Sequence, residues 1–166
     1  EAMKIYTPAL EQAEKLGDKT GMGHTLNSIG IVHVDRGDYD KALEYLNRSL
    51  KIQEELGNKY GMGYSLGNIG NVHANKGDYD MALEYLNRSL KIREEIGDKS
   101  GMGYSLNNIG VVHKNKGDLD TALDYYKRSL SIVEELGDKR GMGYSLNSIG
   151  AVHHNKGEYD KAAEHL

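Results

Sequence analysis

The chain has 166 residues, 28% charged and 38% hydrophobic, with a formal net charge of −4. That composition folds rather than staying disordered and offers no basic field to hold nucleic acid. The absence of cysteine rules out disulfides, thiol catalysis and thiolate metal sites, and fits a reducing, cytoplasmic setting. No apolar run approaches the roughly 20 residues that a membrane span needs. No leader pattern opens the chain, although its first residues, Glu-Ala-Met-Lys-Ile-Tyr, read as a chain entered partway.

Sliding the sequence against itself by 40 residues organises the elements. The ten-residue stretch that begins at Gly21 returns at Gly61, Gly101 and Gly141, and residues 61–100 and 101–140 agree at 28 of 40 positions. Residues 1–17 match the second half of such a unit. There Thr7-Pro8 stands where Asn47-Arg48 stands in the next copy. Thr as an N-cap with Pro behind it starts a helix, and an interior Pro removes a backbone bond, so a kink or restart is expected near residue 7. Full units follow at 18–57, 58–97 and 98–137, and 138–166 is a truncated terminal unit. Without a linker or composition shift between them, all are expected to form a single domain, 1–166.

Each unit reads as helix, turn, helix, turn. Leu66, Ile69, Val72 and His73 form one stripe at helical spacing, and Tyr79, Ala82, Leu83, Leu86, Leu90 and Ile96 form a second. Lys76-Gly77-Asp78 supplies a C′ glycine and an aspartate N-cap, and Ile96-Gly97-Asp98 repeats the device. Strand signals are absent. Helix pairs repeated at this period cannot bury their stripes alone, so the expected fold is all-α, a right-handed solenoid of tandem antiparallel pairs.

The residues at Leu66, Ile69, Gly70, His73, Gly77, Tyr79, Ala82, Leu86 and Ser89 follow the spacing of the tetratricopeptide repeat, and the whole chain resembles that family. Leu stands at the family's Trp site, His at its Tyr site, and the terminal Pro is missing. The 40-residue form is similar to the repeats of Pins/LGN-like scaffolds and of arrays in bacterial signalling proteins.

Glycines such as those of Gly101-Met-Gly-Tyr suggest a phosphate cradle, but such a loop needs a strand before it. Here they lie in the first turns of a helix, where each costs roughly 1 kcal/mol relative to Ala. Close helix packing is the better reading for Gly61, Gly63 and Gly70. His33, His73, His113 and His153 recur every 40 residues. Stacked helices stand about 10 Å apart, too far to share a metal bound at about 2 Å, so satisfied, half-buried imidazoles are expected, with His154 facing elsewhere. Asp78 reads as a cap and Glu94-Glu95 as a solvated helix end. No nucleophile, base and oxyanion set converges, so neither an enzyme nor a cofactor is expected.

In the family that the chain resembles, first helices line a concave groove that binds extended peptides. That resemblance places His24, Tyr64, Tyr104 and Tyr144 in one row of the groove. Asn27, Gly67, Asn107 and Asn147 form the next, flanked by Ser28, Asn68, Asn108 and Ser148. Then come Ile31, Asn71, Val111 and Ala151, then Val34, Ala74, Lys114 and His154, and last Asp35, Asn75, Asn115 and Asn155. Amides both donate and accept, so an asparagine ladder suits the backbone of an extended chain, and Tyr adds rigid contact area. Recent duplication, or solubility alone, would leave the same asparagines. Lys114, Lys116, His154 and Lys156 make an acidic partner segment the expectation. Two alternatives stand beside peptide binding: homo-association through exposed terminal helices, and a sensor module within a longer signalling protein.

Overall fold

The computed structural model describes residues 2–163. Among the described residues there are nine α-helices and no strand. They are α1 (Ala2–Leu16), α2 (Lys19–Asp35), α3 (Tyr39–Glu55), α4 (Lys59–Lys76), α5 (Tyr79–Ile96), α6 (Lys99–Lys116), α7 (Leu119–Glu135), α8 (Lys139–Asn155) and α9 (Tyr159–Ala163). Expected elements at Glu164, His165 and Leu166 lie outside the described residues. The fold is all-α and built from tandem helix pairs. Two compact units divide the chain at Ile92/Arg93, within α5.

The turns follow from local chemistry. Gly77 ends α4 at φ 83°, in the left-handed region that a side chain resists. The next amide, of Asp78, then donates back to the His73 carbonyl at 2.9 Å. First helices are capped as expected: Asp18, Asn58, Asp98 and Asp138 accept from the amides of Gly21, Gly61, Gly101 and Gly141 at 2.9 to 3.1 Å.

In the first unit, Ala42, Leu46 and Leu50 of α3 pack with Leu66, Ile69 and Val72 of α4. In the second, Ala122 and Tyr126 of α7 pack with Ile149 and Val152 of α8. Burying one such Leu or Ile contributes about 1.5–3 kcal/mol. Glycine sets how closely the helices approach. A Cβ on Gly30 would stand 2.6 Å from Leu46 Cγ; one on Gly70, 2.7 Å from Leu86 Cγ; and one on Gly110, 2.7 Å from Tyr126 Cε1. The packing reading therefore holds at Gly70, and at Gly61, where a Cβ would run into the Gln53 side chain.

Three expectations need correction. Helix α1 runs without a restart through Thr7 and Pro8. Pro8 forfeits one backbone bond, and the turns beyond it pack on α2, with Ala13 buried. Ile96 is 37% exposed, because it sits in the last turn of α5, beyond the buried stripe. The third concerns Asp78 and its equivalents. Asp38 and Asp118 stand at N-cap positions but make no side-chain cap bond. Their carboxylates, and that of Asp78, face imidazoles instead: His33 Nδ1 to Asp38 Oδ2 at 3.3 Å, with 3.5 Å at His73–Asp78 and His113–Asp118. A half-buried ring has fewer alternative partners in water than an exposed first-turn amide, so the ring takes the carboxylate.

Two glycines separate the packing cost from helix propensity. Gly70→Ala adds a clash expected to cost about 1–3 kcal/mol, offset in part by a propensity gain of about 1 kcal/mol. Gly143 has nothing within 4 Å of its Cβ position, so Gly143→Ala gains the propensity alone. Urea unfolding followed by circular dichroism should show a lower midpoint for G70A and a higher one for G143A. Equal shifts would refute the close-packing role.

Candidate functional site

Each unit presents first-helix faces flanked by a second helix. In the first unit, Tyr64 is exposed on α4, Asn68 and Asn71 are half-buried one and two turns on, and Asn75 is exposed near the helix end. In the second unit, α6 carries exposed Tyr104, half-buried Asn107, Asn108 and Lys114, and exposed Asn115. Helix α8 carries Tyr144, Asn147, His154 and Asn155, all exposed.

Neighbouring first helices engage one another through these amides. Asn68 Nδ2 donates to Asn27 Oδ1 at 3.1 Å, and the Ser148 hydroxyl donates to Asn107 Oδ1 at 3.5 Å. Part of the amide capacity is thus spent within the protein, and each amide has further donor or acceptor sites. His154 packs edge-on against Tyr159, with centroids 5.4 Å apart, and Lys156 is held by Asp120 at 2.6 Å. The basic cluster of the second unit is therefore partly neutralised.

Behind each face lies a cavity bounded by two first helices and the second helix between them. In the first unit it is about 210 Å³, lined by His24, Asn27, Tyr60, Tyr64 and Gln53 among others. In the second it is about 440 Å³, lined by Tyr104, Asn107, Val133, Arg140 and Tyr144 among others. Sequence reasoning missed the residue at the floor. Positions 53, 93 and 133 read Gln, Arg and Val within otherwise similar stretches, and all three are buried. A position that is buried yet changes its chemistry from copy to copy was the available signal.

Buried serines, also missed, tie the helices together beneath the face. Ser49 Oγ of α3 donates to the Gly23 carbonyl of α2 at 2.8 Å and meets Ser65 Oγ of α4 at 3.1 Å. Ser129 repeats this with Gly103 at 2.8 Å and Ser145 at 3.2 Å. The histidines are satisfied, as expected. His33, His73 and His113 stack nearly parallel on Tyr45, Tyr85 and Tyr125 at 5.4 to 5.5 Å, with Arg48, Arg88 and Arg128 over the same tyrosines. His153 bonds Glu158 at 2.6 Å. Among the described residues no group of three or more His, Asp or Glu is placed to hold a metal.

Lysines at the helix ends hold carboxylates of the adjoining second helices: Lys19–Glu55 at 2.7 Å, Lys76–Asp40 at 2.9 Å, Lys99–Glu135 and Lys156–Asp120. The hydrogen bonds from Lys76, Lys19 and Lys156 keep Asp40, Glu55 and Asp120 below the usual carboxylate range. Lowered folded-state values favour folding above the unfolded value and lose that contribution as pH falls through the folded one. The pairs are exposed, so salt weakens them further.

Glycine-pinned helix pairs at a 40-residue period define an α-helical repeat protein. The profile of the tetratricopeptide repeat matches residues 1–55, 61–134 and 101–166, and the chain belongs to that family. Over 52 residues it is 40% identical to the photosystem I assembly protein Ycf3 of Rippkaea orientalis, covering 31% of this chain and 28% of that one. Among solved structures, BtubC (BKLC) from P. vanneervenii is similar at TM-score 0.84 and 21% identity, over 98% of this chain and 68% of that one. A Rap protein complexed with Competence and Sporulation Factor is similar at TM-score 0.90 and 20% identity, over 98% of this chain and 46% of that one. A STAND protein with a tetratricopeptide repeat sensor from Pyrococcus horikoshii reaches TM-score 0.82 at 21% identity, over 94% of this chain and 24% of that one. These structures share the fold. Among the described residues no helix is long and apolar enough to cross a membrane.

The serine staple has a measurable weight. Ser49→Ala leaves Ser65 with a buried hydroxyl short of a partner, and is expected to cost about 1–2 kcal/mol. Adding Ser65→Ala removes the stranded group, so in urea unfolding the double variant should lose less than the sum of the two single losses. Strict additivity would show that the two hydroxyls do not act as a pair.

Proposed function

We propose that this chain is a protein-interaction module that binds an extended segment of a partner over its first-helix faces. In the first unit a segment's backbone would lie along Asn68, Asn71 and Asn75; in the second, a segment's backbone would lie along Asn107, Asn108, Asn115, Asn147 and Asn155. Tyr64, Tyr104 and Tyr144 would provide the flanking contact, and Lys114 and His154 the polar edge. The observation that carries this reading is an exposed aromatic and amide face behind which a cavity opens in each unit. Tyrosines 48 to 58% exposed, at helical spacing from half-buried amides, combine rigid area with adaptable hydrogen bonding. The Rap relative, solved with Competence and Sporulation Factor, lends support. We propose that the 40-residue copies at 18–57, 58–97 and 98–137 and the terminal copy from 138 serve as the units of one recognition module.

A second reading has some support. The sensor repeats of the STAND relative support a sensor role within a longer chain.

The main reading is tested on a peptide array with wild type and an Asn68/Asn107/Asn108/Asn147→Ala variant of unchanged helical circular dichroism. The variant is expected to lose most of the peptide signal. Equal binding by both proteins would remove the amide faces from the interaction.

A further inference from the structure

The linings of the two cavities differ at 53/133, 60/140 and 24/104. In the first unit Gln53 fills the floor: its amide is pinched between Gly23 and Gly61, and its Oε1 accepts from Asn58 Nδ2 at 2.7 Å. In the second unit Val133 takes that place, with Cγ1 3.2 Å from a Cβ on Gly103 and 2.8 Å from one on Gly141. The cavity over the shorter side chain is about 440 Å³, against about 210 Å³ over Gln53. The larger value lies within the range of ligand-binding pockets.

The chemistry of the larger cavity is specific. At its floor, the Ser129 hydroxyl is committed to the Gly103 carbonyl and to Ser145, and Val133 presents methyl groups. Tyr104 and Tyr144 form the walls. At the rim, the Arg140 guanidinium lies 5.8 Å from the centre of the Tyr144 ring and its Nη2 donates to Tyr144 Oη at 3.4 Å. The neighbouring Asp138 carboxylate is occupied by the Arg140 and Gly141 amides at 3.1 and 3.0 Å. Among the described residues no carboxylate lies within ion-pair distance of that guanidinium. In the first unit the same rim position is Tyr60, uncharged.

We infer that the second unit is a side-chain-specific pocket, in which Val133, Tyr104 and Tyr144 take a bulky apolar side chain of the partner while Arg140 binds a carboxylate on the adjacent residue. The inference rests on the reading of the first-helix faces as a peptide-binding surface, and adds the sequence preference that an amide ladder alone lacks. An apolar side chain is favoured because a polar one would meet a floor whose hydrogen bonds are already made. An acidic neighbour is favoured because Arg engages carboxylates bidentately.

The test is titration of the full chain, followed by ¹⁵N–¹H NMR, with Ac-Gly-Gly-Leu-Glu-Gly-Gly-NH₂ and with counterparts carrying Ser for Leu or Gln for Glu. The Leu-Glu peptide should shift the Gly103, Gly141 and Ser145 amides and bind at least tenfold tighter than the Ser counterpart. Val133→Gln copies a residue that the fold already accepts at 53, and it should erase that preference with the spectrum otherwise intact. Arg140→Gln should bring the Leu-Glu peptide down to the affinity of the Leu-Gln peptide. If all three peptides shift the Asn107 and Asn147 amides with equal affinity, the surface binds peptide but the pocket does not select, and the inference falls alone. If no peptide shifts any of these amides, the inference and the groove reading fall together.

Discussion

Everything in this fold depends on how closely a first helix can approach the second helices beside it. A helix with glycines in its first turns and another at its middle is poor by propensity, each glycine costing roughly 1 kcal/mol against Ala. It exists because those glycines admit neighbours that a methyl group would exclude: Leu46 against Gly30, Leu86 against Gly70 and Tyr126 against Gly110. Stability therefore resides on the packed side of the helix, where Leu66, Ile69 and Val72 are buried. The opposite side holds residues the core does not need. Asparagines that would weaken an isolated helix are tolerated there because packing, and not propensity, holds the helix.

What the sequence made legible is what depends on neighbours a few residues away. Helix existence, the stripe at Ala82, Leu86 and Leu90, the αL glycines and the caps at Asp98 and Asp138 all follow from short-range periodicity and backbone chemistry. What escaped was decided by partners from other helices. Asp38 and Asp118 look like any N-cap aspartate, and only the ring of a preceding histidine, held flat on a tyrosine of the next helix, draws the carboxylate away. Ser49 looks like a small packing residue, and its bonds to Gly23 and Ser65 come from sequence separations of 26 and 16. The candidate face was legible as rows of residue types. The cavity behind it was not, because its size is set by side chains on three helices.

The buried polar groups also show how the copies tolerate exchange. A hydroxyl at 49 or 129 is stable because it donates to a glycine carbonyl and accepts from a second serine hydroxyl. The Tyr126 hydroxyl is in a weaker position. It stands where the first two copies have Leu46 and Leu86, is fully buried, and lacks a hydrogen-bond partner. Burial pushes its pKa up to about 12, against a smaller opposing contribution from Ser148, which approaches without completing a bond. The ring fills the space over Gly110, so packing offsets an unsatisfied hydroxyl that by itself costs about 1–3 kcal/mol.

Positions 46/86/126 and 53/93/133 thus make a useful contrast. Both are buried, and both change residue between copies. At the first, Leu gives way to Tyr and the space stays filled, so the exchange is absorbed inside the core. At the second, Gln and Val differ in reach, and the difference appears as volume open to the amide and tyrosine face. Variation absorbed by the core says nothing about ligands. Variation transmitted to an exposed cavity alters what can bind there while the helices around it keep their places. A repeat whose packed face must stay nearly fixed can change the space beneath its exposed face at such a floor position, as Gln53 and Val133 do here.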